Sequence, residues 1–218
     1  MKLLASDFDN TLYVEDYNTL KTNIESINMF RDRGNIFVVI TGRSNDSILP
    51  LLKEYSVNYD YLICNSGSEI YDKANKLLKS IYIDQDDIDK IKSISLNNNL
   101  NMNTSYDNTT CINIKREENL TYEVIKTIQL STNTYSYLSP NWLNIINADA
   151  NKFLALKELE SIINSDLEIY TIGDAINDIE MIEYYNGAMM KKHENTLDGL
   201  NCKEYETLSD YIKKIIND

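Results

Sequence analysis

The stretch Lys2-Leu3-Leu4-Ala5-Ser6-Asp7-Phe8-Asp9-Asn10-Thr11-Leu12 decides how the rest of the chain is read. Lys2–Ala5 is a short apolar run bounded by small and polar residues, which predicts a buried strand. It leads straight to two acids, Asp7 and Asp9, so the space beyond the strand end is anionic. Working outward, Leu20–Arg33 has helical periodicity and stops before Gly34, and Ile36–Ile40 is a second apolar run. Ser44–Tyr55 reads as a helix interrupted or bent at Pro50, and Tyr61–Cys64 as a third strand. Strands and helices alternating in this way predict a parallel sheet covered on both faces, a doubly wound, Rossmann-like α/β fold.

The alternation returns near residue 151. It predicts a helix over Lys152–Ile163, a strand at Glu168–Ile172, a helix over Ile176–Tyr185, a short strand at Ala188–Met190 and a last helix over Tyr205–Ile216. Between the halves the pattern changes. Asp86–Ser95 looks helical, Asn101–Tyr106 and Cys111–Lys115 look like paired strands, Thr121–Leu130 looks helical, and Tyr135–Leu138 with Trp142–Ile146 look like a second pair. A helix-strand-strand unit occurring twice predicts an α+β insert. The expected division is a core from residues 1–82 and 149–218 and an inserted domain from residues 83–148.

Composition narrows the function classes. At 218 residues the chain has room for roughly one and a half domains of ordinary size. Its 43% hydrophobic and 25% charged residues are globular proportions. The net charge of −13 opposes a phosphodiester backbone, so nucleic acid is not an expected partner. His193 is the single histidine, which excludes a multi-histidine metal site and makes a Ser–His or Cys–His nucleophile an unpromising reading; it reads as a loop residue. Cys64, Cys111 and Cys202 are distant from one another and odd in number, as buried thiols in a reducing compartment would be. The six glycines build neither a Walker A loop nor a dinucleotide fingerprint. With no signal-peptide pattern and no run of about 18 apolar residues, a soluble cytoplasmic protein without a membrane partner is expected. Tyr55, Tyr59 and Tyr61 read as core and surface filler.

In an open parallel sheet, ligands bind beyond the carboxyl ends of the strands. Every expected strand here ends in small or anionic hydrogen-bonding groups: Asp7 and Asp9; Thr41, Gly42 and Arg43; Asn65, Ser66 and Gly67; Gly173, Asp174, Asn177 and Asp178. Such residues are also ordinary turn punctuation. Their coincidence at four strand ends favours a site, and carboxylates such as Asp7 and Asp174 suit Mg²⁺, which takes one or two of them with waters and a substrate phosphate.

Asp7-Phe8-Asp9-Asn10-Thr11-Leu12, Thr41-Gly42-Arg43, Lys152 at the head of a helix and Gly173-Asp174-Ala175-Ile176-Asn177-Asp178 together resemble the haloacid dehalogenase superfamily of phosphohydrolases. The position of the insert is similar to that of its Cof-type subfamily. The resemblance covers nearly the whole chain and implies two-step phosphoryl transfer through an aspartyl-phosphate. On it, Asp7 is the nucleophile and Asp9 the general acid and base. Thr41 donates its hydroxyl to the phosphate, Lys152 neutralises the transferring group, and Gly42, Arg43 and Asn177 lie along the substrate. Asp7, Asp174 and the backbone carbonyl of Asp9 hold Mg²⁺, with Asn177 and Asp178 completing or supporting the set.

Asn10 stands where the family often has Gly, which Asn tolerates because it also adopts left-handed dihedrals. Phe153 stands where the subfamily often has Gly, and Lys157 competes with Lys152 for the third motif; Lys152 is preferred because it opens the helix. Arg43 either touches substrate or pairs with a surface acid. The insert is implied to be a cap selecting the leaving group of a small phosphorylated metabolite, a sugar phosphate first, with a monomer and a homodimer both open. Tyr106, Arg116, Tyr135, Tyr137, Asn141 and Trp142 are candidates to face the pocket, the ordinary reading being that Trp142 and the tyrosines pack the cap's own core. The competing functions are phosphomutase-type transfer between sugar positions, a receiver-like signalling module and a catalytically idle binding protein.

Overall fold

A computed structural model of the chain describes residues 1–103, 109–193 and 195–217. The chain begins β1 (Lys2–Asp7), α1 (Tyr17–Asp32), β2 (Ile36–Ile40), α2 (Asn45–Glu54), β3 (Tyr61–Cys64), then β4 (Glu69–Asp72) and β5 (Leu77–Ser80). It continues α3 (Gln85–Asn97), β6 (Met102–Asn103), β7 (Cys111–Lys115), α4 (Tyr122–Ser131), β8 (Thr134–Leu138) and β9 (Trp142–Asn147). The last part is α5 (Lys152–Ile163), β10 (Glu168–Gly173), α6 (Ile179–Tyr184), β11 (Ala188–Met190), β12 (Lys203–Tyr205) and α7 (Leu208–Asn217).

The large sheet has the order β12-β11-β10-β1-β2-β3-β4-β5; β12 through β3 run parallel, and β4 and β5 are antiparallel. Successive strand residues face opposite ways. Leu4, Phe37, Val39 and Leu62 therefore pack with Ile27 and Phe30 of α1, Leu52 of α2 and Ile212 of α7. Leu3, Ala5, Val38 and Ile63 pack the other way, with Leu156 and Leu159 of α5 and Met181 of α6. This is the doubly wound sheet the alternation predicted.

The second sheet, β6-β7-β9-β8, is antiparallel and is built from the helix-strand-strand unit used twice. Ile112, Ile114, Leu143 and Ile145 on one of its faces bury against Ile88, Ile91, Val124 and Ile128 of α3 and α4.

Several limits differ from expectation. α2 continues unbroken through Pro50, whose missing N–H falls on an exposed face of the helix. The hairpin β4–β5 was not anticipated, because its half-exposed strands lack a full apolar run. Tyr205 belongs to β12 rather than to the last helix, since pairing with β11 holds it extended. Residues 176–178 form a tight 3₁₀ turn ahead of α6. Of the strand expected at Asn101–Tyr106, Met102–Asn103 is present, and Tyr106 lies outside the described residues. Among the described residues no helix is long and apolar enough to cross a membrane.

Candidate active site

β1 and β10 are neighbours at the point where the winding reverses, with β2 and β3 to one side and β11 and β12 to the other. Such a reversal opens a crevice at the carboxyl ends of the strands. Asp7 is the last residue of β1, Asp174 follows the end of β10, Thr41 follows β2, and Asn65 and Ser66 follow β3. α5 brings the cation: Asn151 caps it by accepting from Leu154 N at 2.7 Å, which makes Lys152 its first residue.

Lys152 is 1% exposed, and its Nζ donates to Asp7 Oδ1 at 2.5 Å and to Asp178 Oδ1 at 2.6 Å. Asp178 Oδ2 accepts from the backbone N–H of Asp174 at 3.2 Å and of Ala175 at 3.1 Å, so both of its oxygens are engaged. Gly173 is required beside it, because a Cβ there would lie 2.3 Å from Asp178 Cγ. Asp174 Oδ1 accepts from Thr11 Oγ1 at 3.1 Å. Asp7 Oδ2 meets no protein donor among the described residues.

Asp7, Asp174 and Asp178 offer oxygens within 4.8 Å of one another. Burial pushes the Asp7 carboxyl well up, against the pull of Lys152, and Asp178 and Asp174 push it further. Burial and then Asp178 push Asp174 up to about 6, while Lys152, Thr11 and Asn10 hold it down. Burial alone would lower Lys152, but Asp178 and Asp7 hold it well above the ordinary lysine range. Three buried acids against one lysine leave surplus negative charge, and their all-oxygen donor set fits a hard divalent cation.

Asp9 stands apart. Arg43 grips it at two points, Nε on Oδ2 at 2.8 Å and Nη2 on Oδ1 at 2.7 Å, and the two side chains are 36% and 43% exposed. Arg43 thus pairs with an acid of the motif itself. Thr41 is fully buried and its Oγ1 accepts from Arg43 N at 3.1 Å, leaving its own proton to donate. Asn10 has φ 57, the left-handed conformation expected of it.

The second sheet closes over this edge. Tyr137 and Ser66 are hydrogen-bonded through their hydroxyls, Asn177 Nδ2 donates to Ser66 Oγ at 3.3 Å, and a Cβ on Gly42 would meet Tyr137 Oη at 3.2 Å. Asn65 Nδ2 donates to Thr110 Oγ1 at 3.1 Å, and Thr110 donates to Glu69 at 2.8 Å. Tyr135 stacks on Tyr137, with ring centroids 6.1 Å apart. Neither tyrosine belongs to the core under α3 and α4, nor does Trp142, so the ordinary reading of those residues is corrected. Arg116 instead ties the β8–β9 turn through the carbonyl of Ser139 at 3.0 Å, and the Asn141 carbonyl accepts from Arg116 N at 2.9 Å. Lys157 lies over the rings of Phe153 and Tyr184, away from the acids, and His193 faces Asp198 at 3.9 Å. Ser66 and Thr110 were not singled out for these contacts; only the strand-end position of Ser66 signalled it.

Comparison with known proteins follows the same outline. The family model for haloacid dehalogenase-like hydrolases matches residues 4–135 and 105–201. The phosphatase BT1666 of Bacteroides thetaiotaomicron superposes with a TM-score of 0.85 at 16% identity, covering 100% of this chain and 94% of that one. A Plasmodium vivax protein described as HAD/COF-like superposes with a TM-score of 0.85 at 18% identity, covering 100% and 96%. The subclass IIB sugar phosphatase BT4131 gives 0.78 at 16% identity, covering 100% and 98%.

Proposed function

The chain belongs to the haloacid dehalogenase-like hydrolases, and from that premise we propose a Cof-type phosphatase that cleaves phosphomonoesters of small metabolites, sugar phosphates first, with Mg²⁺ and through an aspartyl-phosphate. The observation that carries this reading is the buried contact of Lys152 Nζ with Asp7 at 2.5 Å, inside a group of three acids that share a 4.8 Å neighbourhood.

Asp7 Oδ2 is the attacking oxygen: it bonds to phosphorus as the bond to the leaving oxygen breaks. Asp9 gives that oxygen a proton and later takes one from the water that hydrolyses the acyl phosphate. It acts only after parting from Arg43, because in the pair both carboxylate oxygens are occupied. Thr41 donates to a phosphate oxygen, and Lys152 offsets the charge of the transferring group. Gly42, Arg43 and Asn177 line the approach. Asp7, Asp174 and the Asp9 carbonyl would hold Mg²⁺, with Asn177 and Asp178 in support, and the ion would supply further charge neutralisation on the phosphate. Asp178, with both oxygens engaged, serves chiefly by fixing Lys152 and the turn after β10.

We assign residues 1–82 and 149–218 to the catalytic core and 83–148 to a cap. A site roofed by a second sheet admits a small molecule and excludes a folded phosphoprotein, and we place the protein in the cytoplasm. The test is phosphate release from sugar phosphates, nucleotides and phosphorylated cofactors, with Mg²⁺ or with a chelator. Turnover is expected with the metal and is expected to vanish in Asp7→Asn; full activity in that variant overturns the reading.

A further inference from the structure

The large sheet has a notch away from its catalytic edge. β10 pairs with β1 from Glu168 to Ile172, but with β11 only at Ile172 and Gly173, because β11 begins at Ala188. The amino half of β10 therefore has no strand on its outer side, and a cavity of about 590 Å³ lies there, at the amino ends of β11 and β12. Small-molecule sites usually enclose about 300–1,000 Å³. Gly187 lines the end nearer the catalytic edge, where a Cβ would lie 2.0 Å from Thr171 Oγ1. Tyr170 lines it four residues back along the chain from Asp174, roughly 13 Å at about 3.3 Å per strand residue. None of Asp7, Asp174 and Asp178 borders the cavity.

Tyr211 of α7 stands edge-on to Tyr170, with ring centroids 6.3 Å apart, and meets Tyr205 of β12 at 4.8 Å. With Ile182 and Ile215 these rings make an apolar wall. Such a wall favours an aromatic guest, which gains edge and face contacts beyond plain burial. Tyr211 is 6% exposed, and its hydroxyl has no hydrogen-bond partner among the described residues. Ser68 Oγ is the one fully sealed side-chain polar atom in that condition, so the Tyr211 hydroxyl keeps some open surface. Burial, then Tyr205 and Tyr170, hold this phenol well above its ordinary range, so it stays protonated and offers a donor. A nearly buried donor without a partner calls for an acceptor.

The chain carries a net charge of −13, yet the charged side chains lining this cavity are Lys203, Lys214 and Glu183. Lys203 is two residues before Tyr205 on β12 and shares its face, and it makes no ion pair or hydrogen bond among the described residues. Lys2 brings a third ammonium, 5.8 Å from the centre of the Tyr170 ring. This local reversal of sign beside an unanswered phenol matches an anion of single charge.

We propose that the notch is a second ligand site, for a small aromatic carboxylate whose ring packs among Tyr170, Tyr205 and Tyr211 and whose carboxylate accepts from the Tyr211 hydroxyl and pairs with Lys203. The site is independent of the phosphatase reading.

Calorimetry on the full chain with indole-3-acetate, indole-3-acetamide and cyclohexylacetate tests it. Indole-3-acetate should bind once per chain and about tenfold or more tighter than either of the others, since the amide lacks the charge and cyclohexylacetate lacks the aromatic ring. Tyr211→Phe removes an oxygen that bonds to nothing in the free protein, so the variant should melt no lower than the parent while losing about tenfold in affinity. Lys203→Met should lose about fivefold. Absence of saturable binding, equal affinity for the amide, or full affinity in Tyr211→Phe overturns the proposal. A second measurement places the ligand. Cys202 lines the cavity and is half-buried, so its alkylation by iodoacetamide, read by mass spectrometry, should slow about fivefold or more under saturating indole-3-acetate and should not respond to Mg²⁺ with inorganic phosphate. Unchanged alkylation, or displacement of indole-3-acetate by Mg²⁺ with phosphate, puts the ligand elsewhere and overturns the proposal. Both readouts are free of turnover, so a chain that releases no phosphate from any ester sinks the phosphatase reading and leaves this one to its own result.

Discussion

Arg43 and Asp9 face each other as a two-point ion pair, with Nε 2.8 Å from Oδ2 and Nη2 2.7 Å from Oδ1. The fork geometry matches guanidinium to carboxylate, and Asp9 is not part of the group formed by Asp7, Asp174 and Asp178. It also raises Arg43, chiefly through the hydrogen bonds to Asp9. On the proposed mechanism, a phosphate dianion entering beside Thr41 would compete with Asp9 for this arginine, and the pair would link substrate arrival to release of the proposed acid.

Arg43→Ala is therefore expected to lower kcat/KM by about tenfold or more, through lost positioning of Asp9 and lost charge near the phosphate. Arg43→Lys should fall between, because it keeps the charge without the fork. Thermal unfolding should barely change, since pairs this exposed contribute about 0–1 kcal/mol. Unaltered kinetics in Arg43→Ala would sink this role.

The two lysines of α5 should separate cleanly. Lys152→Ala leaves Asp7 and Asp178 buried without their cation, a loss of about 3–5 kcal/mol. Turnover should drop roughly 10²–10³-fold. Lys157→Ala removes only ring contacts at an exposed position and should stay within about 1 kcal/mol. Equal, negligible effects on phosphate release would move the third motif elsewhere.

Metal and pH should act in opposition. Asp174 rises from its usual 3.8 to about 6 in the folded chain. Between those values the folded chain keeps a proton the unfolded chain has lost, so without metal its contribution to stability falls as pH rises through that window and the penalty stands in full above it. Asp7 is raised in the same direction. Mg²⁺ needs the ionised oxygens, so its addition in place of a chelator should raise the melting temperature more at pH about 7.5 than at about 4.5. Equal shifts at both pH values would contradict a carboxylate site.

Gly67 should be intolerant of any side chain. At φ +109, a Cβ on it would sit 2.1 Å from the Asn151 carbonyl oxygen, at the cap of the helix that delivers Lys152. Gly67→Ala should cost about 3 kcal/mol or more and reduce turnover with it. Gly34→Ala, at φ +79 with nothing within 4 Å, carries only the backbone cost of about 1 kcal/mol. Chemical denaturation of the two variants makes the comparison.

Much of the core was legible because its strands are complete apolar runs. Ile36–Ile40, Tyr61–Cys64, Ala188–Met190 and the helix Lys152–Ile163 have the same limits in sequence and structure. β4 and β5 escaped because half-exposed edge strands carry no such run, and β12, three residues with one apolar side chain, escaped likewise, its last residue Tyr205 being read as the start of the last helix. At the site, Asp7, Thr41, Lys152, Asp174 and Asp178 were legible as residues at element ends. The partner of Arg43 and the orientation of Tyr137 were not, since both depend on elements that meet only in space.

By itself the sequence determined the alternation of the core's apolar strands with its helices, the acids at the strand ends and a net charge of −13. These follow from periodicity and composition, which are properties of neighbouring residues. Only the tertiary structure decided that Lys152 rather than Lys157 meets Asp7 across 145 positions, that Arg43 takes Asp9, and that the polar face of the second sheet looks inward. Each of those outcomes requires distant segments to pack first, and a side chain's partner is settled by which surfaces that packing leaves within about 3 Å of one another.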